Sequence, residues 1–393
     1  MLLQRIEISK HLNSPAHWQA NLQFNQAVLL VGRNATGKSK ILAAVGNLGR
    51  MITGKSIPID CTYYALFEHN QESVEYNLSI QNGIVVSESF TQAGTLMLQR
   101  NQDGNGWATA VQAGVKQLQF RVPLRELAVV AKRDLIQHPF LEPLHQWARA
   151  LRYYRFNDLR RHQYAILNST ENSIPDPTDS NQAVALFHAG AKAQGPLFSE
   201  AIVADLNTMG YNVADLTIEP MDATQEPSTT TPYGALNPLQ NPTSRLYGLS
   251  IQETDLSTRT RQPDMSDGLF RALSLLIHAV YAEFTSKPSC MLIDDIGEGL
   301  DYERSTALIQ LLMAKAEHRA IQLVMSTNDR FVMNAVPLKS WCGLKRTPSG
   351  VQTICELTHP EVFDDFKLTG LNNFDFFTMD FFDAPRDSEP ENG

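Results

Sequence analysis

A short glycine-bounded motif near the amino terminus constrains this chain more than any other feature. It has the pattern G-x-x-x-x-G-K-S and reads Gly32-Arg33-Asn34-Ala35-Thr36-Gly37-Lys38-Ser39. The apolar run 27–31 precedes it and the apolar segment 41–45 follows it, so we expect a strand, a loop and a helix. In such a loop, backbone N–H groups close around phosphate oxygens, and the helix N-terminus adds about half a positive charge. The motif therefore predicts a binding site for a nucleoside triphosphate.

Individual side chains of the loop have separate expected roles. Lys38 is predicted to reach the β- and γ-phosphates, and the Ser39 hydroxyl is predicted to coordinate Mg²⁺. Lys40 completes the set of candidate nucleotide-binding residues. ATP and Mg²⁺ are therefore the expected cofactors.

Composition and charge limit the class of protein. The chain has 393 residues, of which 43% are hydrophobic and 19% charged, as is ordinary for a globular protein. It contains no apolar run of about 18 residues, so we expect no membrane span, and its start is too charged for a signal peptide. The formal net charge of −9 does not support nucleic-acid binding, which would need a local basic surface or an oligomer that builds one.

The cysteine pattern indicates the redox environment. The four cysteines are far apart in the sequence and form no C-x-x-C pair; they are Cys61, Cys290, Cys342 and Cys355. We expect reduced, mostly buried thiols in a cytoplasmic protein, with neither a disulfide framework nor a zinc site.

Changes in periodicity divide the chain into four expected segments. Residues 1–123 form an N-terminal lobe with the phosphate loop and an antiparallel β-meander. Residues 124–245 form a helical lobe, with helical spacing over 140–154 and irregular insertions at 168–179 and 219–244. Residues 246–358 alternate strands with helices, which favours a parallel sheet. Residues 359–393 are rich in acidic residues and phenylalanines, and we expect them to pack on their own domain as far as Phe382. The alternative for this segment is an oligomer or partner interface that holds an effector.

A pair of carboxylates forms the second informative site. The apolar strand 291–293 ends in Asp294 and Asp295. A carboxylate at the C-terminal end of a parallel strand, beside a phosphate loop, is where a Mg²⁺ ligand is needed. We therefore assign Asp294 to the metal and Asp295 to polarisation of the attacking water.

Three further elements complete the pattern: a helix start, a loop and the end of a strand. Ser266 is predicted to cap a helix, and Gly268 to allow close approach of another backbone. The loop 299–301 follows the carboxylates. The strand 323–327 then ends in Asn328, a polar residue that we expect to touch the γ-phosphate.

In this order the motifs resemble those of ABC-type ATPases of the SMC/RecF-like branch. The resemblance covers nearly the whole chain and is strongest at 32–39, 266–268 and 294–301. It implies an α/β fold, namely an ABC-type P-loop NTPase head with a mixed sheet, an antiparallel β-subdomain and a helical lobe. The chain has no sustained heptad pattern, so we expect no long coiled-coil arm. The segments 265–275 and 326–330 look like those of stand-alone ATPases from bacterial anti-phage defence systems, including PARIS-like, OLD-like and Septu-like systems.

The resemblance also implies an assembly. In a head-to-tail homodimer or a larger homo-oligomer, ATP held by 32–39 of one subunit would be covered by Ser266 and Gly268 of another. Such defence ATPases act beside a separate nuclease or toxin effector. The family also has a glutamine loop, for which three residues remain candidates here: Gln92, Gln119 and Gln137.

Two departures from the family pattern bear on the rate of hydrolysis. Asp295 stands where the family usually has glutamate, and Asn328 stands where it has a switch histidine. Misplacing a catalytic group by about 1 Å can slow a reaction about 100-fold, so we expect slow turnover. Glu298 is an alternative residue for positioning the water.

Three classes of function compete. The first is an ATPase that senses an invader and controls an effector in a defence or toxin system. The second is a RecF-like DNA repair ATPase that binds DNA in an ATP-dependent way. The third is a transporter subunit, against which the strand layout before the phosphate loop and the residue at 328 argue. One surface bears on partners: Arg149, Arg152 and Arg155 at helical spacing would share one helix face. We favour a solvated helix face with the neighbouring aromatic residues in the core. The alternative is a surface that contacts phosphates or an acidic protein.

Overall fold

The computed structural model describes residues 1–10, 17–156, 159, 164–168, 182–221, 244–285, 289–319 and 321–379. Most of the two predicted insertions, together with Phe381, Phe382 and the acidic end of the chain, lie outside these ranges.

The strands of the described residues are, in chain order, β1 (Leu2–Lys10), β2 (Trp18–Gln23), β3 (Ala27–Val31), β4 (Cys61–His69), β5 (Glu72–Gln81), β6 (Ile84–Gln92), β7 (Thr95–Arg100), β8 (Asn105–Ala110), β9 (Val115–Arg121), β10 (Leu151–Arg155), β11 (Ala165–Asn168), β12 (Val213–Pro220), β13 (Ser244–Glu253), β14 (Thr260–Arg261), β15 (Ser289–Asp294), β16 (Ile321–Ser326), β17 (Trp341–Thr347) and β18 (Gly350–Cys355).

The α-helices of the described residues are α1 (Lys38–Ile52), α2 (Ala128–Ala131), α3 (Glu142–Ala150), α4 (Ala183–Gln194), α5 (Pro196–Thr208), α6 (Asp267–Phe284), α7 (Tyr302–Glu317), α8 (Arg330–Ala335), α9 (Pro360–Lys367) and α10 (Asn373–Thr378). Among them the longest is α6, with 18 residues, and none is long and apolar enough to cross a membrane.

Contacts between residues divide the chain into two compact units. One comprises Met1–Leu151 and Gln322–Gly393, and the other comprises Arg152–Ile321. The division into four segments expected from the sequence stays a prediction.

The first unit is built on a large mixed sheet. Within this unit the strand order is β16-β3-β17-β18-β2-β1-β4-β5-β6-β7-β8-β9. Strand β3 runs parallel to both β16 and β17, whereas β4 to β9 form an antiparallel meander. The meander is continuous with the rest of the sheet because β1 pairs with both β2 and β4. The predicted mixed α/β architecture is therefore confirmed.

Strand β3 and helix α1 place the phosphate loop. All five residues of β3 are buried, as expected for a strand with a parallel neighbour on each side. Helix α1 buries one apolar face, including Ile41, Leu42 and Val45. The loop between the two elements is thus anchored at both ends in the core of its unit.

The second unit contains an antiparallel sheet and a helical cluster. Strand β13 pairs with β11, β12 and β14, while β10 and β15 are neighbours of each other. Helices α4, α5 and α6 meet around Phe198, whose ring contacts Phe187, Tyr281 and Phe284 at centroid distances of 5.9, 6.3 and 5.8 Å. All six residues of β15 are buried, so Asp294 ends a core strand.

The helix predicted over 140–154 is wrong beyond Ala150. The chain continues as β10, so Arg149, Arg152 and Arg155 do not share a helix face. Arg152 is 4% exposed, whereas Arg155 is exposed. Side chains alternate across a strand, and this alternation separates Arg152 from the surface that the helical spacing implied.

The carboxyl-terminal phenylalanines pack on their own domain as far as the structure describes them. Phe363, Phe366 and Phe376 are 0%, 1% and 0% exposed. The Phe376 ring lies 4.9 Å from Phe363 and 4.7 Å from Phe366. The expected self-packing of this segment is confirmed for these residues.

Candidate functional site

The loop between β3 and α1 has the closed backbone that phosphate binding needs. Gly37 has φ of 109° and Ala35 has φ of 63°, both in the left-handed region. The Thr36 backbone N–H and hydroxyl both donate to the Arg33 carbonyl, at 3.2 and 2.9 Å. A Cβ at Gly32 would lie 2.7 Å from Thr36 Oγ1, so only glycine fits there. The predicted strand, loop and helix are confirmed.

The N-terminus of α1 is suited to an anion. Its N-cap is Gly37, which has no side chain to cap the helix, and its first turn carries no acidic residue. The first N–H groups of a helix have no partners within that helix, and the helix dipole adds positive charge there. Ser39 and Lys40 follow on the first turn and are exposed. A helix start with these properties is the kind of place where phosphate groups bind in proteins.

Lys38 is the best-defined side chain of the loop. It is 6% exposed, and its Nζ donates to the Gly32 carbonyl at 2.7 Å and to Asn328 Oδ1 at 2.8 Å. Asn328 follows β16, which runs parallel to β3, so the two polar residues lie at the same end of the sheet. A buried ammonium needs such acceptors, because burial without hydrogen bonds is costly. The residue that the sequence assigned to the γ-phosphate thus lies against the lysine that is predicted to reach the same phosphate.

Trp18 is a neighbour of the loop that the sequence did not reveal. A Cβ on Gly37 would lie 3.6 Å from the Trp18 ring and 3.3 Å from Val351, and Lys40 Nζ lies 4.1 Å from the Trp18 ring centroid. A lone tryptophan at the start of a strand carries no motif, and its place beside the loop depends on the pairing of β2 with β18.

The charge around Lys40 is locally positive despite the acidic balance of the chain. Burial, first, and then the positive charges of Lys10 and Arg346 lower the pKa of Lys40. Repulsion from the charges of Lys10 and Arg346 thus disfavours the protonated form of Lys40. An anionic ligand would relieve that repulsion.

In the second unit, Asp294 ends β15 with its carboxylate next to a tyrosine. Asp294 is 6% exposed, and the Tyr153 hydroxyl donates to its Oδ2 at 3.4 Å. Arg155 Nε donates in turn to the Tyr153 oxygen at 3.4 Å. Burial, and more weakly the Asp294 charge, raise the pKa of Tyr153, so its hydroxyl keeps its proton at neutral pH. The sequence singled out Arg155 only for a helix face, and neither Tyr153 nor the contact of Arg155 with it was identified, because a strand at β10 was not expected.

Asp295 adopts a backbone conformation that few side chains tolerate. Its φ is 56°, in the left-handed region, where aspartate and asparagine are enriched among non-glycine residues. The flanking residues Asp294 and Ile296 are buried, at 6% and 1% exposure, and hold the turn in place. Strained backbone of this kind clusters at functional sites.

Ser266 and Gly268 have clear structural roles within the chain. Ser266 Oγ accepts from the Leu269 backbone N–H at 3.2 Å, so the predicted cap of α6 is confirmed. A Cβ at Gly268 would lie 2.8 Å from the Gly299 carbonyl oxygen. The close backbone approach expected at Gly268 is thus made by the chain's own 297–299 loop. Ser266 itself is exposed.

The loop after Asp295 is held by α6 on one side and leads into α7 on the other. Arg271 donates to the Glu298 carbonyl at 3.2 Å, while the remainder of Glu298 is exposed. The Asp301 side chain caps α7 by accepting from the Arg304 backbone N–H at 2.9 Å. Arg271, which the sequence did not single out, therefore positions the loop that carries Glu298.

The structure brings together some of the predicted residues within each unit. Gly32, Lys38 and Asn328 meet in the first unit, and the Gly268 helix start meets the 297–299 loop in the second. The structure does not select one of the three candidates for the glutamine loop. Gln92 lies in β6, Gln119 lies in β9, and Gln137 contacts Gln112. The catalytic, nucleotide-binding and metal-binding assignments stay predictions.

Comparisons with known proteins identify the fold. No protein-family model and no curated protein matches the sequence. Among solved structures, the crystal structure of an Smc head bound to the C-winged helix domain of ScpA has a TM-score of 0.50 at 12% identity, over 90% of this chain and 97% of that one. At this identity the likeness concerns the fold, so the chain has the fold of an SMC head domain.

Two further SMC heads match less well. The SMC head domain from Thermotoga maritima has a TM-score of 0.44 at 15% identity, over 90% of this chain and 99% of that chain. The Smc head domain with an extended coiled coil, bound to the C-terminal domain of ScpA and derived from Pyrococcus furiosus, has a TM-score of 0.42 at 11% identity, over 93% and 99%.

Proposed function

We propose that this chain is an ABC-type ATPase that binds ATP and hydrolyses it slowly, acting as a nucleotide-gated switch. The observation that carries the proposal is the position of Lys38, buried in a closed glycine loop with its ammonium on Gly32 and Asn328. Both acceptors are uncharged, so phosphate oxygens compete with them favourably for the ammonium. The SMC-head fold and the positive surroundings of Lys40 support the same assignment.

The residues present suit Mg²⁺. Ser39 is exposed on the first turn of α1, and Asp294 ends a buried strand; we propose each as a Mg²⁺ ligand. The described residues contain no group of three or more His, Cys, Asp or Glu side chains that could hold a metal ion. This suits Mg²⁺, which proteins usually bind through one or two carboxylates plus substrate phosphates. Mg²⁺ would neutralise charge that develops on the phosphates, and Tyr153 would orient the Asp294 carboxylate.

Hydrolysis is assigned to the loop after β15. In this proposal the Asp295 carboxylate polarises the attacking water, and Asn328 contacts the γ-phosphate. Glu298 is the alternative residue for positioning the attacking water, because it lies on the same short loop as Asp295. Aspartate is shorter than the glutamate of the family, so we expect a turnover number below about 10 s⁻¹, the median for enzymes.

Nucleotide binding is proposed to drive self-association. ATP bound at 32–39 of one subunit would be covered by Ser266 and Gly268 of a second copy, giving a homodimer or a larger homo-oligomer. The exposure of Ser266 at a helix N-terminus supports this role, since the α6 dipole there favours an anion. The close packing of Gly268 against Gly299 would hold the N-terminus of α6 in place.

The biological role follows from the resemblance of the motifs. We propose that the switch is the sensor or regulator of an anti-phage defence or toxin system, and that it controls a separate nuclease or toxin. A solved SMC head bound to a winged-helix domain illustrates a protein partner on this fold. The alternative is a RecF-like repair ATPase, which ATP-dependent binding of DNA by the purified protein would favour.

Titration with a fluorescent ATP analogue tests the nucleotide site. We expect saturable, Mg²⁺-dependent binding that Lys38→Ala reduces at least 10-fold, which corresponds to about 1.4 kcal/mol. Lys55→Ala is the matched control, because Lys55 is an exposed lysine just beyond α1. Equal affinities for the wild type and Lys38→Ala, with both folded, would overturn the proposal.

A further inference from the structure

Two of the four cysteines face each other in the first unit. Strands β17 and β18 pair in antiparallel register, and Cys342 lies directly opposite Cys355. The two residues are 0% and 5% exposed, and both are free thiols. No short motif links the two cysteines, so the pair was not predicted; the register of the hairpin brings them together.

The backbone geometry of the pair suits a disulfide. The Cys355 N–H donates to Thr358 Oγ1 at 3.3 Å, and its carbonyl accepts from the Thr358 and His359 N–H groups at 2.9 and 2.8 Å. Both backbone groups of Cys355 are thus engaged away from Cys342. The pair is therefore of the non-hydrogen-bonded kind, in which opposite Cα atoms lie about 4.5 Å apart. Disulfides span Cα separations of about 4.4 to 6.8 Å.

The two thiols differ in acidity. A hydrogen bond from Cys342, together with weaker ones from Thr358, lowers the pKa of Cys355, while the same pairing raises the pKa of Cys342. The Cys355 sulfur also lies 3.3 Å from Thr358 Oγ1. Cys355 is therefore the thiol that ionises first, and Cys342 is the thiol that keeps its proton.

Cys355 is the more accessible of the two thiols, at 5% exposure against 0% for Cys342. A small cavity of about 10 Å³ is lined by both cysteines together with Gln23, Asn25, Lys339 and Glu356. The other two cysteines provide a contrast within the same chain, since burial raises the pKa of Cys61 and raises that of Cys290 to about 12.

We propose that Cys342 and Cys355 form a redox-active dithiol that peroxide converts to an intramolecular disulfide. The Cys355 thiolate attacks hydrogen peroxide and, after protonation of the leaving hydroxide, yields a sulfenic acid and one water. The Cys342 sulfur then attacks the Cys355 sulfur, and the thiol proton leaves with the displaced hydroxyl as a second water. Two thiols are oxidised, one peroxide is reduced, and a dithiol reductant reverses the change by exchange.

The disulfide would join the two strands that support the phosphate loop. Leu344, two residues beyond Cys342 on β17, has its carbonyl oxygen 2.9 Å from a Cβ built on Gly32. Val351 on β18 packs against Gly37. The bond would close the open end of this hairpin. Disulfides in reducing compartments are usually transient and redox-sensing, and a cross-strand pair of this kind matches that use.

Peroxide treatment of the reduced full-length protein tests the proposal. Free thiols are alkylated under denaturing conditions, disulfides are reduced and labelled with a second reagent, and the sites are mapped by mass spectrometry. We expect the second label on Cys342 and Cys355 only, with the loss of two hydrogen atoms in the intact mass and reversal by dithiothreitol. Four free thiols after treatment, or equal oxidation of Cys61 and Cys290, would overturn the proposal.

Two variants separate the roles of the pair. In Cys342→Ser the sulfenic acid on Cys355 should persist and be trapped by dimedone, whereas Cys290→Ser should form the disulfide as the wild type does. Disulfides between chains in place of the intramolecular bond would also contradict the proposal. The wild-type labelling pattern decides the matter by itself if a variant does not fold.

Discussion

The Lys38 ammonium and the Asn328 amide oxygen lie 2.8 Å apart, although 290 residues separate them in the sequence. Lys38 follows β3 and Asn328 follows β16, and the two strands run parallel as neighbours. A substitution at Asn328 therefore directly changes the hydrogen bonding of Lys38. The contact couples Asn328, the proposed switch residue, to the proposed nucleotide site within one unit of the chain.

Replacing Asn328 by aspartate tests this coupling. The new carboxylate would form an ion pair with Lys38 and would repel a nearby γ-phosphate. We expect Asn328→Asp to weaken ATP binding at least 10-fold, or about 1.4 kcal/mol, as measured by isothermal titration calorimetry.

Asn334→Asp provides the control for charge. Asn334 is an exposed residue of α8 whose Oδ1 accepts from the Phe374 N–H, an interaction that aspartate retains. This variant should bind ATP as the wild type does. If both aspartate variants bound ATP normally, the Lys38–Asn328 contact would have no part in nucleotide binding.

Ser266 has a capping role that can be separated from its proposed contact with ATP. Aspartate and asparagine cap helices about as well as serine, whereas alanine costs about 1 kcal/mol. We therefore expect Ser266→Asp and Ser266→Asn to unfold at the same denaturant concentration as the wild type, and Ser266→Ala to unfold earlier.

Self-association should respond differently to the same variants. If Ser266 covers the ATP of a second copy, the negative charge of Ser266→Asp should block ATP-driven association, because it faces the γ-phosphate. Ser266→Asn carries no charge and should still associate. Sedimentation velocity in the presence of Mg²⁺ and ATP measures both. Unimpaired association of Ser266→Asp would show that Ser266 is a helix cap and nothing more.

Parts of this architecture can be predicted from the sequence because they depend on the type and order of nearby residues. Strand β3 was predicted with its observed bounds, since a buried parallel strand appears as a continuous apolar run. The meander was indicated by alternating residues and turn dipeptides such as Asn82-Gly83, where both residues have positive φ. The Ser266 cap was likewise predicted from residue type and place.

Other parts depend on tertiary pairing that a single sequence does not record. The segment 151–155 has apolar residues at helical spacing but becomes a strand, because its neighbour in the sheet is β15. The Lys38–Asn328 contact and the facing of Cys342 and Cys355 follow from the order and register of strands. The positive φ of Asp295 likewise depends on tertiary structure, because the turn at this residue lies between buried neighbours.

Gly37 is the position in the loop where an added methyl group is most informative. Alanine at φ of 109° is strained, and its Cβ would press on Val351 at 3.3 Å. We expect Gly37→Ala to stay folded and to bind the ATP analogue at least 10-fold more weakly, because the helix N-terminus would shift away from the phosphates.

Gly83→Ala is the matched control, since Gly83 also has positive φ, at +68°, with nothing within 4 Å of an added Cβ. It should cost about 1 kcal/mol of stability from backbone strain and leave ATP binding unchanged. Normal ATP binding by Gly37→Ala would contradict the closed-loop geometry.

Stability should depend on pH through a buried histidine of the first unit. His145 on α3 is 8% exposed; burial, first, and then the charge of Arg133 lower its pKa below 6.5. The unfolded chain therefore binds a proton at this residue at a higher pH than the native protein. Its contribution to stability is constant above about pH 6.5 and declines as the pH falls below that value.

Urea unfolding at pH 7.5 and pH 5.5 measures this dependence. The free energy of unfolding should fall between the two values, and His145→Gln should reduce the fall. His318→Gln removes an exposed imidazole at the end of α7 and should leave the fall as it is in the wild type. A fall of the same size in His145→Gln would assign the pH dependence to other groups.

The mass of the purified protein in solution shows whether nucleotide assembles the switch. Light scattering with and without Mg²⁺ and ATP should show a larger assembly only with nucleotide. Lys38→Ala should abolish the increase, and Asp295→Asn, which suits the same left-handed backbone, should prolong it by slowing hydrolysis. A wild-type mass that does not change with ATP would contradict the account.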